Sequence, residues 1–414
     1  MKILHLVHRC WPYHGGAERY VLEHALAADR WGHESVIYTT DAWDMSRMVS
    51  RSGKRVERRE DHYCGVPIRR FPVRHPPLQD LMRGILRRLL SCGQDRFFYP
   101  NPFVPSLGRW LKRDSGFHMV HANAMPFLIY RGWRYGRRHG TGLVSVPHAN
   151  VGEKYRRVEA LHYFRGCQKR IFRESSFVVA QSIFEKGLFL EAGVPRERIH
   201  VSGSGVDPAE FRDADGSAGR ERLGLSGRVI LCMTAHSRDR GTGHLLRAAS
   251  VMAKKGMDFT LVLAGPMDTF TDSILDSDDY LRGPLRGRVV TTGYVKQQER
   301  TDLLAAADMV VLPSRLDCFG IVLLEAWILG KPVVGCWSGA MPDLIKDGKN
   351  GFLVTWGDPV TLEDRMRRLL DDCSMGKKMG EEGRKAVLGR WTWDRVTDRF
   401  YRRLAMCHSG RRRP

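Results

Sequence analysis

Short, mostly apolar runs recur along the chain and alternate with longer amphipathic stretches. In the first half they fall at 3–7, 36–39, 68–73, 119–121, 143–146 and 177–180. A second series falls at 229–234, 259–264, 289–292, 309–312, 333–336 and 352–354. Runs of this length without polar alternation are the mark of strands buried on both faces of a parallel sheet, and the intervening helical stretches supply the crossovers. The pattern predicts an α/β protein with two doubly wound sheets. Gly203-Ser204-Gly205-Val206-Asp207-Pro208, followed by polar sequence through Gly219, is the expected linker. One domain is therefore expected at 1–207 and a second at 208–391. Ligands of such sheets bind outside the carboxyl ends of the strands, so a cleft between the two sheets is the expected site.

With 414 residues and 43% hydrophobic content, the chain can bury two ordinary cores. It contains no run of eighteen apolar residues, and 3–7 is too short for a signal peptide, so a cytoplasmic protein is expected. Nine cysteines without a C-x-x-C pair argue for reduced thiols and against a zinc or disulfide framework. The formal charge of +21 is concentrated in the N-terminal half. Part of it lies at 78–90, where Arg83, Arg87 and Arg88 flank an apolar stripe, and part at 131–138, interleaved with Trp133 and Tyr135. Such segments suit an anionic membrane surface, or equally a core-facing helix with a solvated basic face. No nucleic-acid recognition motif is present, and basic charge alone gives only nonspecific binding.

The segment 309–326 carries the most chemistry. A buried strand at 309–312 ends at Pro313-Ser314, and a helix starts after Gly320. The first turn of a helix has free N–H groups and about half a positive charge, so Phe319, Gly320, Ile321 and Val322 offer donors to a phosphate. Glu325, one turn on, can accept from both hydroxyls of a ribose, and Asp317 from hydroxyls of a second ring. The alternative is an ordinary βα unit with Glu325 solvated. Other candidates also sit at strand ends. Gly15-Gly16 opens a helix where backbone can approach a phosphate or sugar, or simply makes a tight turn. His148 can donate to a sugar hydroxyl or be a satisfied polar residue. His121 is followed by the same Ala-Asn pair, which is read as coincidence. Arg240, with Arg238 as second choice, is the cation expected to face the phosphates.

In this order and spacing the motifs resemble those of the retaining nucleotide-sugar glycosyltransferases of family 4, over nearly the whole chain. They comprise Gly15-Gly16-Ala17-Glu18, His148, Gly205-Val206-Asp207, Arg240-Gly241, Gly265-Pro266, Gly293-Tyr294-Val295, the Asp317 to Glu325 block, Gly339-Ala340-Met341-Pro342-Asp343, Asp347-Gly348-Lys349-Asn350-Gly351 and Trp393-Asp394-Arg395-Val396. The resemblance implies the GT-B fold, two Rossmann-like domains facing a central cleft, with a last helix at about 392–408 packing back on the N-terminal domain. It implies that the C-terminal domain holds the nucleotide sugar. There Glu325 would bind the ribose, the amides of Phe319 to Val322 the diphosphate and sugar, Tyr294 and Val295 the base, and Arg240 a phosphate. Asp317 would contact the donor sugar, His148 would lie over it, and Gly15 and Gly16 would sit near the phosphates or the acceptor. The expected catalytic set is His148, Asp317 and Arg240.

The chain departs from the family at three positions. Asp317 stands where a glutamate is usual and reaches about 1.5 Å less far. Ala235 stands where an arginine is common, so that one phosphate cation is either missing or supplied by His236 or Arg238. Ser204 replaces a frequent asparagine. The expected activity is metal-independent, retaining transfer of a hexose to a glycan or lipid-linked acceptor in cell-envelope polysaccharide or glycolipid synthesis. No cofactor is expected, no specific nucleic acid partner, and the expected location is the cytoplasm, including the cytoplasmic face of the membrane. The rivals are a non-catalytic GT-B partner with a weakened donor site and a basic surface-binding protein.

Overall fold

The structure is a computed structural model that describes residues 1–13, 15–75, 102–124, 127–149, 166–277, 280 and 282–409. They form two compact units, one built from Met1–Ala149, 166–203 and 396–409, the other from Ser204–Arg395. The division falls after Gly203, slightly before the expected boundary at 207. The basic segment 78–90 lies outside the described residues.

The first unit holds an eight-stranded sheet. Its strands are β1 (Lys2–Leu6), β2 (Glu34–Thr40), β3 (Glu60–Tyr63), β4 (Val66–Phe71), β5 (Met119–Asn123), β6 (Gly142–Val146), β7 (Phe177–Ala180) and β8 (Ile199–Val201), in the order β3-β4-β2-β1-β5-β6-β7-β8. All neighbours run parallel except β3, which is antiparallel to β4. Neither β3 nor β8 was expected, because Glu-Asp-His-Tyr has no apolar run and β8 is three residues long. Both are edge strands, where one-sided pairing needs no two-faced burial. The second unit holds β9 (Arg228–Met233), β10 (Phe259–Ala264), β11 (Val289–Gly293), β12 (Met309–Leu312), β13 (Val333–Cys336) and β14 (Phe352–Val354). They form one parallel sheet in the order β11-β10-β9-β12-β13-β14. Strand order reverses between β1 and β5 in the first sheet and between β9 and β12 in the second. These are the switch points at which doubly wound sheets open a crevice.

The stretch read as a polar linker is folded. Asp207 caps the short Pro208–Phe211 turn, and Asp215 accepts from Ser217 and Ala218 to cap the Gly216–Leu223 helix, which packs on the Gln297–Ala306 helix. Acidic residues that looked like linker composition are N-caps, the use for which short carboxylates are best suited. The last helix, Trp393–Ser409, passes from the second unit into the first at Val396. Within the first unit it buries Phe400, Tyr401 and Leu404, and the Tyr401 hydroxyl donates to the carbonyl of His24. The helix carrying 131–138, Phe127–His139, buries Phe127, Leu128, Ile129 and Tyr135, while Arg137 lies over the Trp133 ring. Among the described residues no helix is long and apolar enough to cross a membrane.

The core of the first unit contains an unusual number of imidazoles. His5 on β1 and His121 on β5 bring their Nδ1 atoms to 3.0 Å, His24 lies 5.5 Å from His121, and Phe400 packs against both His24 and His121. Burial pushes His5 and His24 down to about 3, and holds His121 well below its usual range. His148 is likewise pushed down to about 3 by burial. These rings are neutral in the fold but would protonate near 6.5 once exposed, so folding loses stability as pH falls below 6.5 and continues to lose it towards 3. Glu18 and Glu185, both raised by burial, act in the opposite sense, while His8, His200 and His236, each pushed down to about 4 by burial, add to the histidines. Each histidine is worth about 1–2 kcal/mol between pH 7.5 and 5.5. Thermal denaturation should therefore show Tm lower by more than about 5 °C at pH 5.5 than at pH 7.5. A flat Tm over that range would contradict neutral burial of the cluster.

Candidate functional site

In the second unit the two loops flanking the switch point, after β9 and after β12, are laced together by reciprocal ion pairs. Arg240 Nη1 pairs with Asp317 Oδ2. In the opposite direction, Arg315 Nε donates to Asp239 Oδ1 at 2.9 Å, and Arg315 N donates to the Asp239 carbonyl at 3.0 Å. The loops also touch through Gly241. With φ at +75°, a Cβ there would lie 2.0 Å from the Pro313 carbonyl oxygen, so only glycine fits on both counts.

Asp317 is the hinge of this arrangement. Its Oδ1 accepts from the amides of Phe319 at 3.2 Å and Gly320 at 2.9 Å, immediately ahead of the Ile321–Ile328 helix. Gly320 takes φ at +84° to turn the chain into that helix, and the amides of Ile321 and Val322 head its first turn. Sequence analysis assigned Asp317 to a sugar, Arg240 to a phosphate and the Phe319 and Gly320 amides to the donor as separate contacts. The structure brings them together: the carboxylate sits where an anion is wanted, bonded to the same amides and the same guanidinium.

Glu325 also has a partner. It is buried, and its Oε1 is paired with Nη1 of Arg300 from the Gln297–Ala306 helix, whose Nη2 lies 3.7 Å from Glu210 Oε2. Arg300 was not among the expected site residues. It stands twenty-five positions away in the sequence, on a helix whose pattern gives no hint of a buried acceptor. Tyr294 is 65% exposed just after β11, with Val295 half-buried beside it. Of the two residues offered in place of the cation missing at Ala235, His236 is buried against Thr242 at 3.2 Å and pushed down to about 4 by burial. Arg238 is exposed, with its guanidinium 4.6 Å over the Phe270 ring.

In the first unit His148 follows β6 with φ at +50°, a conformation uncommon outside glycine. Its Nε2 lies 3.1 Å from Asn123 Oδ1, and its ring meets Tyr20 edge-on at 5.0 Å. Ala124, next to Asn123, also has positive φ, at 64°. Two strained positions at adjacent strand ends are a recurrent feature of functional sites. The Ala-Asn pair after His121, read as coincidence, thus supplies the side chain that holds His148. The repeated His-Ala-Asn was the available signal. Gly15 is the N-cap of the Gly16–Arg30 helix. The first turn of that helix holds Glu18, buried and paired with Arg9 Nε at 2.9 Å. Burial raises the Glu18 carboxyl, and Arg9 opposes that rise.

Comparison with known proteins agrees with this architecture. Residues 14–210 match the profile described as Glycosyltransferase Family 4, and residues 227–372 that described as Glycosyl transferases group 1. A Mycolicibacterium smegmatis protein named GDP-mannose-dependent alpha-(1-6)-phosphatidylinositol monomannoside mannosyltransferase is 30% identical over 327 residues, covering 76% of this chain and 82% of that protein. The D-inositol 3-phosphate glycosyltransferase 1 of Catenulispora acidiphila is 28% identical over 367 residues, 82% of this chain and 86% of its own length. The alpha-D-kanosaminyltransferase of Streptomyces kanamyceticus is 29% identical over 224 residues, 52% of this chain, and the match spans 57% of that relative. Among solved structures, Anabaena HepE in complex with UDP superposes with a TM-score of 0.74 at 21% identity, covering 98% of this chain and 100% of that one.

The lacing of the two loops sets a direct expectation. Gly241→Ala must move the Pro313 carbonyl, adopt a strained backbone, or do both, and should cost about 2 kcal/mol or more. A urea midpoint unchanged from wild type would show that the loops are not tied at this contact.

Proposed function

The chain belongs to glycosyltransferase family 4, and on that premise we propose that it moves a hexose, with retention, from a nucleotide-diphosphate sugar to a glycan or lipid-linked acceptor in cell-envelope polysaccharide or glycolipid synthesis. The observation that carries this reading is Asp317 seated on the amides of Phe319 and Gly320 and clamped by Arg240. A protein carboxylate held in this way marks a place built for a larger anion. Its position beside the β9/β12 switch point is where a nucleotide is expected.

In the proposed reaction the donor diphosphate takes over Arg240 and the amides at the head of the Ile321–Ile328 helix, and Asp317 turns to the sugar hydroxyls. Breaking the bond between C1 and the phosphate oxygen puts negative charge on the diphosphate, which Arg240 and the helix N-terminus stabilise without a metal ion. The acceptor hydroxyl attacks the same face of C1, and its proton passes to the departing phosphate oxygen. His148, half-buried and with its basicity pushed down to about 3, contributes a hydrogen bond to the sugar rather than a charge. Glu325 accepts from the ribose, with Arg300 fixing its orientation. The acceptors in the names of two relatives, phosphatidylinositol monomannoside and inositol 3-phosphate, support a polyol or lipid-borne acceptor.

A second reading, a non-catalytic partner with a weakened donor site, is favoured by one observation. Both expected donor carboxylates, Asp317 and Glu325, are already paired with arginines. A thermal-shift screen of UDP, GDP, ADP and their sugars separates the two. A true donor at a hundred times its Kd stabilises by about 2.7 kcal/mol, and Glu325→Ala should remove that shift. Arg240→Ala should lower kcat/KM by about 10²–10³. If no nucleotide shifts Tm and no sugar is transferred or hydrolysed, the transferase reading fails.

A further inference from the structure

Beyond the donor half, the first unit carries a cavity of about 490 Å³ lined by Trp43, Arg47, Arg51, Lys54 and Arg55. We propose that this cavity binds a phosphate ester carried by the acceptor, a reading that rests on the transferase function proposed above.

The cavity is a built feature of the loop after β2. Asp44 Oδ1 accepts from Arg47 N at 2.9 Å and from the Ser46 hydroxyl at 2.7 Å, while its Oδ2 accepts from Lys54 N at 3.0 Å. The Trp43 amide donates to the Lys54 carbonyl at 2.9 Å, closing the loop on itself. At the crossing, a Cβ on Gly53 would lie 2.1 Å from Arg47 N, so the two passes of backbone are in contact. The loops after β1 and β4 join it. Tyr13 meets Trp43 edge-on at 6.2 Å, Arg51 Nη2 donates to the His75 carbonyl at 2.9 Å, and Arg47 Nη2 donates to the Val73 carbonyl at 3.4 Å. Three carboxyl-end loops of one doubly wound sheet therefore converge here, which is where such sheets bind ligands.

The charge of the lining points to the ligand. Four cations face the cavity with one carboxylate, Glu57, which is bonded to Arg55 Nε at 2.6 Å. Neither Arg51 nor Lys54 has an ion-pair partner among the described residues. Arg47 has only Asp41, at 3.6 Å, and its Nε is buried without a partner among the described residues. By contrast Arg9 and Arg69, in the same unit, are closely paired with Glu18 and Glu60. Four clustered guanidinium and ammonium donors, of which Arg51 and Lys54 are outside any ion pair among the described residues, fit a phosphate, which accepts several charge-assisted hydrogen bonds at once. Trp43, Met45 and Val49 are exposed around it, at 36%, 60% and 45%. Such a rim suits a sugar face or the glycerol end of a lipid, so the phosphate could arrive on a soluble ester or on a lipid headgroup.

The test uses the full chain and the Arg51→Ala/Lys54→Ala double variant, first checked for an unchanged Tm. Calorimetric titration with inorganic phosphate and glucose 1-phosphate, with glucose as neutral control, probes soluble esters. Sedimentation with phosphatidylglycerol vesicles, against phosphatidylcholine, probes headgroups. The proposal expects binding in at least one arm, no binding of the neutral control, and an affinity about tenfold or more lower in the double variant. Loss confined to the first arm identifies a soluble phosphate ester, and loss confined to the second a lipid-borne one. If wild type binds neither probe, or the double variant binds as well as wild type, the proposal is overturned. Thermal shifts with UDP and GDP are run in parallel: if they persist, such a failure concerns this cavity alone, and if they are absent, the transferase reading fails separately.

Discussion

A helix that begins at the end of a buried strand has amides without partners and a partial positive charge, and something anionic must meet them. In the second unit Asp317 does so, and much of the local structure follows. Its carboxylate reaches the Phe319 and Gly320 amides with one oxygen and Arg240 with the other, so the loop after β12 cannot settle without the loop after β9. The reciprocal pair of Arg315 and Asp239 doubles the link, and the contact of Gly241 with Pro313 leaves no slack between the loops. The result is a rigid cradle at the point where strand order reverses.

The first unit solves the same problem with the same parts. Glu18, in the first turn of the Gly16–Arg30 helix, is buried with Arg9 at the Gly-Gly turn. Within the same unit's core, three imidazoles, His5, His24 and His121, are buried among aliphatic side chains, and burial pushes their basicity down. His148, half-buried at the end of β6, is likewise pushed down by burial. Asn123 then fixes the ring from the neighbouring strand end.

The sheets were legible because a strand buried on both faces has to be apolar throughout, and twelve such runs stand out against charged sequence. Edge strands escape that requirement, and so β3 and β8 were invisible. The folded segment 208–223 was misread for a related reason. Its aspartates look like linker composition, and only the helix following each reveals a cap. At the site, residue types and positions were readable, whereas their pairings were not. Nothing local to Glu325 announces Arg300, and nothing local to Asp317 announces Arg240. Partners brought together by tertiary packing leave no periodic trace, so the sequence showed a collection of polar groups where the structure has closed pairs.

Those closed pairs bear on selectivity. A ligand entering the second unit's cradle must replace a carboxylate that already satisfies a guanidinium and two amides, so only the excess of its own interaction over the internal one appears as affinity. A monoanion offers little more than Asp317 does. A diphosphate offers a second charge and more acceptor oxygens, enough to bond the first-turn amides of Ile321 and Val322 as well. The internal ion pair therefore raises the threshold for every anion but raises it least for a polyanion. Under the proposed function the same argument applies to Glu325 and Arg300, where a donor ribose would have to present both hydroxyls to compete for the buried carboxylate. Self-pairing of this kind keeps the empty site from exposing an unsatisfied charge, and makes charge number and hydroxyl geometry, rather than contact area, the basis on which a donor is admitted.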